Sequence, residues 1–187
     1  MSVDLFRQPA FLRPEECLAA RRGMDQGNIE QAEILRQGIH LETSVRVATL
    51  VEPEFALIRA VEAKLDACRA HVQGALGLVL GDREGAGFIR YPSGGFYRPH
   101  RDRDDDAGWD GAARRAVALV LFLNSSKAAA PTGEFDGGLL RLFFEGHDID
   151  VAPQAGLFVA FPATVLHEVT EVRDGTRDTV VDWFYDG

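Results

Sequence analysis

The sequence predicts an α+β fold, mainly β, with helices packed outside a β-sandwich or barrel. Helical patterns fill residues 1–75, whereas short β-rich runs separated by Gly, Pro and Asp fill residues 78–186. Helices first and strands later point to α+β, and six or more short strands with turn signals between them point to a sandwich or barrel. A chain of 187 residues suits one domain with one sizeable core. The expected division is a helical support over 1–75 and a β core over 78–186.

The elements follow in order. Arg13-Pro14-Glu15-Glu16-Cys17-Leu18 places a proline and two acids in an early helical turn, where the missing donors and the helix dipole suit them. The segment from Asp25 to Ser44 is polar and mixed, with a short helical patch at best. A longer helix is expected from about Glu54 to His71, because Leu57, Val61, Leu65 and Cys68 recur at spacings of three and four. The strands expected next are AGFIRY from residue 86, RAVALVLFLN from 115, GLLRLFF from 138, GLFVAF from 156, LHEVTEV from 166 and DTVVDWFY from 178. KAAAPTGEFDGG, from residue 127, reads as a loop between strands.

Composition narrows the function. Hydrophobic residues make up 46% of the chain, yet no apolar run approaches the roughly 20 residues a membrane-spanning helix needs. The N-terminus has no basic segment leading into an apolar one, so it does not read as a signal peptide. The net charge of −9 weighs against a nucleic-acid binder, which needs a basic face for phosphates. Cys17 and Cys68 form no disulfide framework and no metal-type pair, which fits a reducing cytoplasm.

The segment YPSGGFYRPHRD, from residue 91, carries the chemistry. His100 and Asp102 are two apart, and on a strand positions i and i+2 share a face. His167 is the best third ligand elsewhere in the chain. Two histidines and one carboxylate on one side of an iron ion form a facial triad that leaves three positions open. His40, His71 and His147 read as surface or structural residues.

Ten residues after His167 comes Arg177. On a strand it shares a face with Thr179, Val181 and Trp183, while Asp178 and Asp182 take the other face. The acids are expected to mark solvent, so Arg177 is expected to point inward. A buried guanidinium is costly unless paired, and a bound carboxylate can pair it through two hydrogen bonds.

These stretches, with VLFLN from residue 120, DGGLLRLFFEG from 136 and HEVTEVRDGTRDTVVDWFYD from 167, resemble the prolyl hydroxylase branch of the 2-oxoglutarate oxygenases. The resemblance spans roughly residues 88 to 186. It implies a double-stranded β-helix, or jelly roll, with the site in the barrel mouth. It implies Fe(II) held by His100, Asp102 and His167, and 2-oxoglutarate as cosubstrate with Arg177 on its distal carboxylate. Tyr91 would help hold that carboxylate, Trp183 would lie at the bottom of the pocket, and Tyr97 would line the substrate side. O2 completes the set, with ascorbate an optional addition. Related halogenating enzymes carry a small residue where this chain has Asp102, so the carboxylate favours hydroxylation.

The substrate expected is a prolyl residue in a peptide or protein, with Asp25 to Ser44 as a lid. The alternatives are hydroxylation of a small metabolite or free amino acid, and a non-catalytic jelly-roll binding module. Gly137-Gly138 would either keep a strand start open for close backbone approach or form an ordinary turn. Asp104, Asp105 and Asp106 read as a solvated loop or as a rim for a basic substrate.

Overall fold

The computed structural model describes residues 5–32, 34–35, 39–40, 43–104 and 110–187. The N-terminal part runs β1 (Phe6–Gln8), α1 (Pro14–Gln26), β2 (Asn28–Gln31), β3 (Ile34–Leu35), β4 (Ile39–His40), β5 (Arg46–Val47), β6 (Thr49–Glu52) and α2 (Phe55–Leu76). The central part runs β7 (Leu80–Arg83), β8 (Gly87–Tyr91), β9 (Phe96–His100), α3 (Asp110–Arg114) and β10 (Arg115–Phe122). The rest is β11 (Asp136–Gly137), β12 (Leu140–Phe144), β13 (His147–Val151), β14 (Phe158–Pro162), β15 (Leu166–Val169), β16 (Val172–Asp174) and β17 (Arg177–Asp186). No helix among the described residues is long and apolar enough to cross a membrane.

Two antiparallel sheets face each other. The larger has the order β1-β14-β10-β17-β8-β6-β2, with β7 also paired to β17; the smaller has the order β13-β12-β15-β9-β5. This is the expected α+β double-stranded β-helix with helices outside. β10 explains the layering. Val117, Leu119 and Leu121 join the core shared with the helices, whereas Ala118, Val120 and Phe122 join the core between the sheets. A strand buried on both faces reads as a continuous apolar run, and RAVALVLF does.

The helices form for local reasons and stay for packing. At the start of α1 the Arg13 N–H donates to the Glu16 carboxylate at 2.8 Å, which satisfies one orphan donor. α2 stops at Gly77, whose φ of 69° is the left-handed conformation a helix end uses, and whose N–H donates to the Gln73 carbonyl. Cys17, Ala20 and Met24 of α1 and Val61, Leu65, Cys68 and Val72 of α2 cover the outer face of the larger sheet. Both cysteines are buried free thiols, and burial pushes each up to about 11.

Two expectations need correction. The N-terminal part is not simply helical. Asn28–Gln31 is a strand paired to β6, where the sequence offered a short helical patch at best. β1 and β6 were likewise absent from the expected elements, and so was β13. The Asp25–Ser44 lid is described only in part, since residues 33, 36–38 and 41–42 lie outside the described residues.

The second correction concerns charge. Asp178 and Asp182 do not face solvent; they are 1% and 0% exposed. Their face of β17 lies under the helices, and arginines neutralise them there. Asp178 accepts from Arg90 Nε at 2.7 Å and Arg21 Nε at 3.0 Å. Asp182 accepts from Arg83 at 2.5 Å and from the Gly85 N–H at 2.9 Å. Alternation along the strand was correctly read; what covers the second face was not visible in the pattern.

Candidate metal and carboxylate site

Register brings the histidines together. β15 pairs with β9 so that His167 and His100 are direct partners. Asp102 lies two residues past His100, beyond the last residue of β9, in a bend. Its carboxylate oxygens lie 3.6 Å from His100 Nε2 and 3.5 Å from His167 Nε2. One ligand atom from each of the three residues falls within 4.8 Å of the others, a group that could hold a metal ion.

The histidine orientations suit that role. Each Nδ1 sits against a backbone carbonyl, Arg98 O at 2.8 Å for His100 and Val165 O at 2.9 Å for His167. A carbonyl only accepts, so each Nδ1 carries a proton, and Nε2 is the nitrogen aimed at Asp102 and available to a metal in the neutral form. Burial, reinforced by neighbouring His100, depresses His167 to about 4. Burial alone would raise Asp102, but His167 and His100 outweigh it and hold the carboxyl well below the usual range. A neutral imidazole beside an ionised carboxylate is the protonation state a metal ion needs.

Arg177 lies in the same cavity, at the start of β17, and is 1% exposed. Its Nε and Nη1 are buried without a hydrogen-bond partner. Tyr91 and Phe122 lie against the guanidinium, 4.9 and 5.3 Å from ring centroid to Cζ. Burial lowers its pKa to about 10, still above neutrality, so the group stays a cation. A buried cation with two unspent donors is a built receptor for a carboxylate. Gly138 makes room for it: a Cβ there would lie 3.0 Å from Arg177 Cδ and from Phe135 Cε2, and its φ of 61° disfavours any side chain. Gly137 is tighter still, since a Cβ would meet Glu171 O at 2.1 Å. Close backbone approach thus applies to Gly137, whereas Gly138 is hemmed in by side chains, and both residues also take the positive φ of a turn.

A cavity of about 730 Å³ joins the two features. Its wall includes all seven residues singled out in the sequence: Tyr91, Tyr97, His100, Asp102, His167, Arg177 and Trp183. Tyr97 stacks on His100 with centroids 3.5 Å apart, and burial raises its hydroxyl to about 12. Asp104 is described, whereas Asp105 and Asp106 lie outside the described residues. Sequence reasoning missed Arg46, Glu84 and Arg115, which also line the cavity. Arg115 merely precedes an apolar run, and nothing local separates it from a surface arginine.

Residues 86–185 match the 2OG-Fe(II) oxygenase superfamily, and the chain belongs to it. It falls in the prolyl hydroxylase-like branch. A crystal structure of a Pseudomonas putida prolyl-4-hydroxylase superposes with a TM-score of 0.73 at 30% identity, covering 98% of this chain and 93% of that one. A Trichoplax adhaerens prolyl hydroxylase, solved with a hypoxia inducible factor peptide fragment, shares the fold with a TM-score of 0.78 at 20% identity, covering 98% and 84% of the two chains. A PKHD-type hydroxylase of Acaryochloris marina is 35% identical over 97 residues, 51% of this chain and 39% of the relative. The match thus spans well under half the length of such curated relatives.

The superfamily implies Fe(II), 2-oxoglutarate and O2, and the residues present fit the first two. The His-Asp-His cluster supplies the hard and borderline donors Fe(II) takes. The orphaned Arg177 donors supply a partner for a dicarboxylate.

Proposed function

We propose that this protein is an Fe(II)- and 2-oxoglutarate-dependent dioxygenase that hydroxylates a prolyl residue in a peptide or protein. One observation carries the reading: the unpartnered, fully buried guanidinium of Arg177 shares a cavity with the His100–Asp102–His167 cluster. A metal cluster alone fits many chemistries. A metal cluster with a carboxylate receptor in the same cavity fits a chelating 2-oxoacid.

His100, Asp102 and His167 would hold the iron, and Arg177 would take the distal carboxylate of 2-oxoglutarate with Tyr91 beside it. When bound, iron and cosubstrate activate O2 for attack on an unactivated C–H bond. The protein's own tasks are narrower. The Arg98 and Val165 carbonyls hold both imidazoles in the ligating tautomer. The Tyr97 ring stacks on His100 and limits its turning, and Tyr97 lines the cavity where a substrate would enter. Trp183, Val181 and Val120 supply apolar wall that limits water near the reacting carbon. Asp102 occupies the position that an added anionic ligand would need, which favours hydroxylation.

The prolyl substrate rests on the Pseudomonas putida relative, which matches nearly end to end. A small-molecule substrate is the second reading, because a cavity of about 730 Å³ lies within the range of small-ligand sites, roughly 300–1,000 Å³. The test is succinate release with Fe(II), 2-oxoglutarate and O2 against proline-containing peptides and free metabolites, with His100→Ala as control. The expected result is peptide-stimulated succinate and one added oxygen on a prolyl residue. Stimulation by metabolites alone transfers the assignment to the second reading. No turnover of 2-oxoglutarate under any condition overturns the class and leaves a binding module.

A further inference from the structure

Asp102 is the least supported of the three metal-binding candidates by the sheet. His100 and His167 are paired across strands, whereas Asp102 lies past the end of β9. Its backbone is held from two sides instead. The Asp102 N–H donates to Ala163 O at 3.1 Å, and Ala163 in turn donates to Ala116 O at 2.9 Å. On the other side, Arg115 Nη1 donates to the Asp102 carbonyl at 3.3 Å. Both tethers lead to the first two residues of β10.

Arg115 is itself fixed, and only 8% exposed. Its Nε and Nη2 donate to the two Glu84 carboxylate oxygens at 2.6 and 2.5 Å. Its guanidinium lies 3.7 Å over the Trp183 ring. An arginine can grip one carboxylate with two donors and still offer a third elsewhere; a lysine ammonium has no such planar fork. Glu84 has a second effect. A guanidinium this near the cluster, if free to move, would compete with the metal for the Asp102 carboxylate. Engaged by Glu84 and stacked on Trp183, it is held where Nη1 meets the Asp102 carbonyl.

We propose that Arg115, clamped by Glu84 and Trp183, is a positioning residue that fixes the Asp102 loop for metal binding. This rests on the metal-site assignment proposed above. The measurement is Mn(II) affinity of the full chain with 2-oxoglutarate present, followed by electron paramagnetic resonance. Arg115→Gln and Arg115→Lys are expected to weaken binding about tenfold, as loss of an outer-shell partner does. Glu84→Gln, which frees the guanidinium, is expected to weaken it in the same direction. Glu16→Ala removes the α1 cap and its pair with Lys64, in the helix layer outside the larger sheet, and serves as the structural control. It is expected to lower Tm and leave the Mn(II) affinity unchanged.

Unchanged affinity in the Arg115 variants overturns the positioning role, as does equal weakening by Glu16→Ala. If Arg115→Gln does not fold, Glu84→Gln decides, and wild-type affinity in that variant overturns the role. Failure of the wild-type chain to bind Mn(II) overturns the metal site itself, which separates the two claims.

Discussion

Arg177 is a residue whose native surroundings are incomplete without a ligand. Its Nε and Nη1 are buried and unpartnered, so the folded chain carries an uncompensated cost until a carboxylate arrives. Two effects follow from that cost. Saturating 2-oxoglutarate with Mn(II) is expected to raise Tm, since a ligand that binds only the folded state stabilises it. Arg177→Met is expected to leave the ligand-free Tm equal or higher, because a buried charge gives way to apolar volume, and to abolish the 2-oxoglutarate-dependent part of the rise. A large Tm loss in ligand-free Arg177→Met, measured by calorimetry, would contradict this account. At this scale the sequence was informative. His100, Asp102 and Arg177 were nameable from spacing and strand alternation and His167 as the best third ligand elsewhere in the chain, and the structure brings all four to one cavity. Arg115 was not, because its significance lies in Glu84 and Trp183, far away in the chain and without any periodic signal.

Between elements, polar contacts tie the helices to each other as well as to the sheet. Glu16 caps α1 through the Arg13 N–H and also pairs with Lys64 of α2 at 3.0 Å. The Arg13 N–H, then the Arg13 and Lys64 side chains, lower the Glu16 carboxyl from 4.5 to about 2. A carboxyl with a depressed folded pKa stabilises fully above its unfolded value and loses that effect as it protonates. The contribution is therefore complete above about pH 4.5 and fades as pH falls through about 2. Glu16→Ala is expected to cost about 0.5–1 kcal/mol at neutral pH and less at pH 2. Hydrogen exchange in the first turn of α1 reads this directly. A uniform effect across that pH range would refute it. Long elements with one dominant period, such as α2 and β10, were legible in the sequence. Asn28–Gln31 was not, because all four residues are exposed and no apolar alternation marks them. Its strand state comes from pairing to β6, a tertiary effect that local pattern does not encode.

The whole molecule closes on contacts between distant parts of the chain. β1 pairs with β14, so Phe6 lies opposite Ala160, and Phe11 stacks on Phe158 at 4.7 Å. Gly156 fits against Leu12 with no room for a side chain. The N-terminal segment thus completes an edge of the larger sheet, while α1 covers part of its outer face. Deleting residues 1–26 is expected to abolish cooperative unfolding rather than merely lower Tm, since it strips the sheet of an edge strand and a covering layer at once. A sharp two-state melt in the deletion variant, by circular dichroism, would show instead that the β core stands alone. The fold class was legible because layers follow from element order; this closure was not, because β1 is three residues long.

The alternation of charge along β17 has a consequence for how the strand finds its place. Arg177 faces the cavity, Asp178 and Asp182 face the arginines under the helices, and the aspartates have their partners only on that side. A slip of one residue would carry both carboxylates into the space beside the His100–Asp102–His167 cluster and leave Arg177 against Arg21 and Arg90. Apolar alternation alone would resist such a slip weakly, because Thr179, Val180 and Val181 put small or apolar side chains on both faces of the strand. The opposed charges therefore act as a registration key that sets Arg177 in the cavity and both aspartates under the helices.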